Sequence, residues 1–330
     1  EFLQRAGLGF GCLGLNSLLS EGQVTNKSEV GEPHFRPRVK SVIFLFMYGG
    51  VSHVDTFDYK PALEKYKDKQ ISTLKINNLG EARTKNGKLL PSVYPMRQHG
   101  ESGMWVCDQY PHLAQVVDKL TFVKSVYGES TNHGPALLEM NTGMTRVGFP
   151  SVGSWVTYGL GSEASDLPGY VVLLSNSGEG VDGGSSLWNN GFLPSEYRGV
   201  NFRSTGDPIL HLTTPNGISG RMQRSRLDAI RKLNELRLKD TGDREIESRI
   251  ASYELAYRMQ SAAPNLVDLS KETRATHEMY GIDNDTTKWF GSNCLLARRM
   301  VERGVRFVQL YHSTWDDHSR SEEHTSELQS

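Results

Sequence analysis

The chain has 330 residues, 37% of them hydrophobic and 23% charged, with a formal net charge of −1. That near-neutral balance gives no global electrostatic case for binding nucleic acid or an anionic membrane. No run of about 18 apolar residues occurs, so no segment is long enough to span a bilayer as a helix. The three cysteines, Cys12, Cys107 and Cys294, lack the close spacing of a zinc knuckle or a redox pair. Buried free thiols and a Cys107–Cys294 disulfide both remain open.

The first residues, "EFLQRAGLGFGCLGLNSLLS", hold a glycine-rich, mildly apolar segment after Arg5. They resemble the back half of a twin-arginine export signal, with Phe2 and Leu3 in the Phe-Leu positions. The expectation is a signal remnant over 1–22 and export to the periplasm or cell surface; an amphipathic helix is the alternative. Residues 23–38 read as a polar linker. "VKSVIFLFMYGG" then forms a continuous apolar run of strand length, which predicts a strand buried on both faces and ended by a Gly-Gly turn.

"KPALEKYKDK" predicts a short helix with Pro61 in its first turn. Residues 71–104 read as a surface excursion, followed by a helix from about Pro111. "LTFVKSVY", residues 120–127, is rich in β-formers and predicts a second strand. "PALLEMNTG" predicts a helix opened by Pro135 and closed by Gly143. "PSVGSWVTYGLG" predicts another, and "LPGYVVLLS" a third strand. Residues 176–217 read as loop. A helical hairpin is expected over about 219–262, broken at Thr241–Gly242. A helix from about Thr286 to Glu302 ends at Gly304, and "VRFVQLY" predicts a fourth strand. Alternating strands and helices predict an α/β domain with a mostly parallel sheet.

Three of these strands run into polar loops that carry histidine. The first holds Ser52, His53, Asp55 and Asp58; the second Ser130, Thr131, Asn132 and His133; the third His312, Trp315, Asp316, Asp317 and His318. Ligands of open α/β sheets bind beyond the carboxyl ends of the strands, so these loops are candidates for one pocket. Asp oxygens with His nitrogens suit a divalent cation, which supports hydrolysis by activating water and neutralising a developing oxyanion. Ser130 or Thr131 at a helix entrance could serve as a nucleophile. Each loop also has a plainer reading. Asp55 could bond backbone amides, Asp58 could cap the helix at Pro61, "STNHG" could be an N-cap, and "WDDHS" a surface turn.

Taken together, "VIFLFMYGGVSHVDTFDYKPALEKY", "NHGPALLEMNTG", "PSVGSWVTYGLGSE", "LPGYVVLLS", "SYELAYRMQ", "CLLARRMVERGVRFVQLYH" and "WDDH" resemble the DUF1501 family, a sulfatase-like group of the alkaline phosphatase superfamily. The resemblance implies a doubly wound, mostly parallel sheet flanked by helices, alkaline phosphatase-like, spanning 39–319 with the helical hairpin as an insertion. It implies a metallohydrolase of sulfate or phosphate esters, with a non-catalytic protein binding a ligand or sulfated glycan as the alternative. His53, Asp55, Asp316 and His318 are then the expected ligands of a divalent metal such as zinc, calcium or manganese. Thr131 or Ser130 is the expected nucleophile, and His133 a general acid/base. Superfamily hydrolases carry a metal-binding aspartate at the end of the first strand; Tyr48, Gly49 and Gly50 stand there instead. "RSEEHTSELQS", residues 320–330, resembles the in-frame translation of a sequencing adapter. That tail is therefore expected to be non-native, and the native C-terminal part to be missing.

Overall fold

The computed structural model describes residues 38–69, 88–175, 181–203, 217–243, 245–312 and Trp315. The expected export signal, the linker up to residue 37 and the 320–330 tail lie outside the described residues. The described chain divides into two compact units. The larger joins residues 38–46 to residues 137–312; the smaller holds residues 47–136 and Trp315.

The larger unit is built on a four-stranded sheet in the order β1–β6–β4–β5. Its strands are β1 (Val42–Met47), β4 (Tyr170–Ser175), β5 (Val200–Phe202) and β6 (Phe307–His312). β4 pairs in parallel with both β6 and β5, with Tyr170 opposite Phe307 and Ser175 opposite His312. The sequence of β4 and β6 is continuously apolar apart from a few polar positions, because helices cover both faces and nearly every side chain is buried.

One face of the sheet presents Val171, Leu173, Val308 and Leu310 to two helices, α6 (Glu245–Val267) and α8 (Lys288–Glu302). Met259, Ala263 and Leu266 come from α6, and Leu296, Ala297 and Met300 from α8. The other face presents Tyr170, Gln309 and Tyr311. Towards it lie α3 (His133–Thr142), through Asn141, and α4 (Val152–Leu160), through Gly153. A Cβ on Gly153 would stand 2.5 Å from the Tyr170 ring, so glycine is what lets α4 approach the sheet.

The helices form where the sequence caps them. Ser151 accepts from the Ser154 amide to open α4. Ser219 accepts from Met222 to open α5 (Gly220–Thr241), and Gly242 closes it at φ 66°. Thr273 opens α7 (Arg274–Tyr280), a helix with no strong periodic signal in the sequence. α5 and α6 form the expected hairpin. α6 runs on to Val267 because Pro264 is accommodated within the helix.

Two expectations fail here. β1 is an edge strand, and its burial alternates: Phe44 and Phe46 pack edge-on against Phe307 and Tyr311, while Ile43, Leu45 and Met47 are exposed. An apolar run fixes strand length, not how many faces are covered. Residues 120–127 form no strand; Val123, Val126 and Tyr127 are exposed, Tyr127 at 90%. β-propensity expresses fit to a half-buried pleated surface, and among the described residues no strand pairs with this segment to supply one.

The smaller unit holds an antiparallel hairpin, β2 (Met96–His99) and β3 (Met104–Cys107), within and just after the expected surface excursion. It also holds α1 (Pro61–Lys65) and α2 (Pro111–Gln115), each opened by proline. Val106, Cys107, Tyr110, Ala114 and Val117 form its core, with Phe57, Phe122 and Trp315 packed against it. Cys107 and Cys294 are free thiols, both raised by burial, Cys294 up to about 12.

Candidate functional site

The loop after β1 is shaped by its glycines. Gly49 and Gly50 adopt φ of 112° and 89°, a region that side-chain-bearing residues rarely enter. An aspartate at either position would strain the turn, which gives a backbone reason for the missing strand-end carboxylate. His53 to Asp55 then form a single 3-10 turn. The Asp55 carboxylate accepts the Val93 amide at 2.9 Å, so one of its oxygens ties this loop to a segment 38 residues on. His53 is exposed, its Nε2 standing 4.0 Å from Asp58.

Asp58 is a different kind of group. It is mostly buried and receives the Lys60 ammonium at 2.8 Å, with Lys124 at 3.9 Å. Lys60 first, then Lys124 and His53, hold its carboxyl below the usual carboxylate range. It does not cap α1: the cap position is Lys60, without a side-chain bond. A lowered carboxyl stabilises the fold above its unfolded-state pKa, and that contribution disappears as pH falls through the folded-state value. Asp58→Asn is therefore expected to cost about 0.5–1 kcal/mol at pH 7 and progressively less at an acidic pH below the usual carboxylate range. Urea midpoints at the two pH values measure it; an equal cost at both would contradict the pairing.

The second loop does not leave a strand. Ser130 bonds within the loop: Asn132 N donates to its Oγ at 3.2 Å, in a local Ser turn. Thr131 and His133 are exposed, and His133 is the first residue of α3. The hydroxyls stand at a helix entrance, as the sequence suggests, but without a sheet edge behind them. Of the third loop, Trp315 packs against the core of the smaller unit, and its amide donates to Tyr48 O at 3.2 Å. Asp316, Asp317 and His318 lie outside the described residues.

His53, Asp55, Ser130, Thr131 and His133 all belong to the smaller unit. Among the described residues, no group of three or more His, Cys, Asp or Glu side chains is placed to hold a metal. His53 and the second oxygen of Asp55 are at most two donors, short of a ligand set.

The carboxyl edge of the central strands carries a polar group of which the loop pattern pointed only to His312. Ser175 ends β4, His312 ends β6, and the two are register partners. Asn293 of α8 donates from Nδ2 to Ser175 Oγ at 2.7 Å, while its Oδ1 has no partner. Asn293 is fully buried and His312 nearly so, with its ring 4.5 Å from Phe290. An unpaired amide end at such a position costs about 1–3 kcal/mol unless a water or ligand satisfies it. The sequence did hold a signal: Asn293 precedes Leu296, Ala297 and Met300 at i+3, i+4 and i+7, a polar residue on an otherwise buried helix face.

A mostly parallel sheet with helices on both faces defines an α/β protein, with polar groups at the carboxyl edge of its central strands. The chain belongs to the family described as "Protein of unknown function (DUF1501)", whose model matches residues 39–330. No curated protein and no solved structure matches it.

Proposed function

We propose that the protein is an exported, sulfatase-like hydrolase of sulfate or phosphate esters, with an alkaline phosphatase-like arrangement of its sheet. The observation that carries this reading is that Ser130, Thr131 and His133 stand together at the entrance of α3, in the same compact unit as His53 and Asp55. Ser130 or Thr131 supplies the attacking oxygen, which bonds to sulfur or phosphorus as the ester oxygen leaves. His133 accepts the hydroxyl proton and gives it to the leaving oxygen; water, deprotonated by His133, then attacks the same sulfur or phosphorus and releases sulfate or phosphate, restoring the hydroxyl. His53, Asp55, Asp316 and His318 are the proposed ligands of a divalent cation: zinc, calcium or manganese. Such an ion, when bound, would neutralise charge on the transferring group.

A second reading is a binding protein on the same scaffold, taking a small anionic ester or a sulfated glycan without turning it over. The engagement of Asp55 by Val93 and of Asp58 by Lys60 favours it, since both carboxylates of the first loop already have work. Turnover of aryl sulfate and phosphate esters, measured beside bound metal, separates the two. The hydrolase is expected to show both activity and stoichiometric metal, with activity lost in His133→Ala and in Ser130→Ala/Thr131→Ala. Absence of turnover and of metal overturns it; ligand binding without turnover establishes the second reading.

A further inference from the structure

The net charge of −1 conceals a local excess of cations. α5 is a 22-residue helix, about 33 Å long at the usual rise. Its seven Arg and Lys residues outnumber its three acidic ones. It contributes no fully buried residue to the fold. Its inner side is held on α6: Arg224 spans to Glu254 at 2.6 Å, and Leu227 and Leu238 are half-buried.

The opposite side has no such use. At about 100° per residue, Met222, Ala229, Leu233 and Leu236 fall within about 60° of one another. Their exposures are large: 48% for Met222, 67% for Leu233 and 58% for Leu236. Arg226 and Arg237 flank this stripe on one side, Arg221, Lys232 and Lys239 on the other. Among the described residues, none of these five forms a close ion pair, although Lys232 lies near enough to Asp228 to help lower its carboxyl. The one carboxylate on this side, Asp240, lies in the last turn.

A stripe of apolar side chains between two rows of cations restricts what can cover it. Pairing with the same helix of a second copy would bring cation rows against cation rows. A nucleic acid would meet the cations but leave Leu233 and Leu236 against phosphates and water. An anionic phospholipid surface satisfies both parts: the leucines enter the acyl boundary and the cations meet headgroup phosphates. We propose that the outer face of α5 is a peripheral docking surface for anionic phospholipid, with the helix lying flat in the membrane interface. Binding of this kind is reversible and depends on salt, because only three large apolar side chains enter the bilayer.

Flotation of the whole chain with vesicles tests this. Vesicles of phosphatidylglycerol and phosphatidylcholine in equal parts are expected to carry the protein at low salt, at least about tenfold more tightly than phosphatidylcholine alone. Leu233→Glu with Leu236→Glu should abolish binding. Arg226→Glu with Arg237→Glu should weaken it by about fivefold or more for each cation removed. Both pairs are exposed, so circular dichroism and the melting temperature should be unchanged, which separates lost docking from lost fold. The proposal is overturned by no binding to the anionic vesicles, or by binding that both double variants retain. It is also overturned if sedimentation without lipid shows a dimer that the leucine substitutions dissociate, since the stripe would then serve self-association.

Discussion

Glu272→Ala should destabilise the larger unit by about 3–5 kcal/mol, because it strands a buried guanidinium. Arg299 of α8 is only 8% exposed in its side chain. It donates to Glu272 at 2.7 Å and to the Asn265 carbonyl at 2.8 Å. Glu272 also receives Arg298 at 3.2 Å. The ion pair thus pins α8 to the end of α6 and to the segment that leads into α7. In the sequence, Arg298, Arg299 and Arg303 look like ordinary cations at a helix C-terminus. Burial makes Arg299 different from its neighbours. Removing Glu272 withdraws the compensation while the desolvated charge stays. Replacing both partners together, as Glu272→Leu with Arg299→Met, should cost much less than the single change. Urea unfolding followed by tryptophan fluorescence measures both variants. A single-variant loss under about 1 kcal/mol would show that water reaches Arg299 and that the pair behaves as a surface contact.

Asn141→Leu should be nearly as damaging, by about 2–5 kcal/mol, since two buried donors lose one acceptor. Asn141 Oδ1 receives Gln309 Nε2 at 2.5 Å and the Tyr311 hydroxyl at 2.8 Å. Its own Nδ2 donates to the Leu137 carbonyl at 2.7 Å. Tyr170 extends the chain by donating to Gln309 Oε1 at 2.5 Å. All four side chains are essentially inaccessible to water, so none can turn outward for a substitute partner. Burial also raises the Tyr170 and Tyr311 hydroxyls, so both remain protonated donors at any working pH. Tyr311→Phe in the Asn141→Leu background should cost less than in the native protein, because the orphaned hydroxyl is then gone. A double-mutant cycle reads that coupling; strict additivity would mean the four groups do not act as a network.

The legible parts of this fold are those where one local pattern decides. β4 and β6 announce themselves as apolar runs bounded by glycine, and α3, α4 and the α5–α6 hairpin by their proline, serine and glycine boundaries. The elements that escape detection depend on partners. β5 is three residues long and exists because β4 offers it hydrogen bonds. Residues 120–127 have the composition of a strand, but among the described residues no strand pairs with them. The same division runs through the candidate site. His53, Asp55, Ser130 and His133 draw notice by residue type. Only the structure reveals that Asp55 is engaged by Val93, 38 positions away, or that Ser175 meets Asn293 across 118 positions. Nothing short-range encodes either contact.

The central pairing of β4 with β6 sets the order in which the chain can assemble. Tyr170 and Phe307 are register partners, yet more than a hundred residues separate them. Closing so long a loop is entropically slow, whereas α5 and α6 meet across a tight turn and can associate early. The hairpin therefore comes from the ribosome well before the strand that completes the sheet. Until Phe307–His312 emerges, β4 displays its buried face and its hydrogen-bonding groups to whatever else is nearby. Synthesis of this protein consequently includes an interval in which β4 has yet to meet β6, and that interval is when a chaperone would matter most.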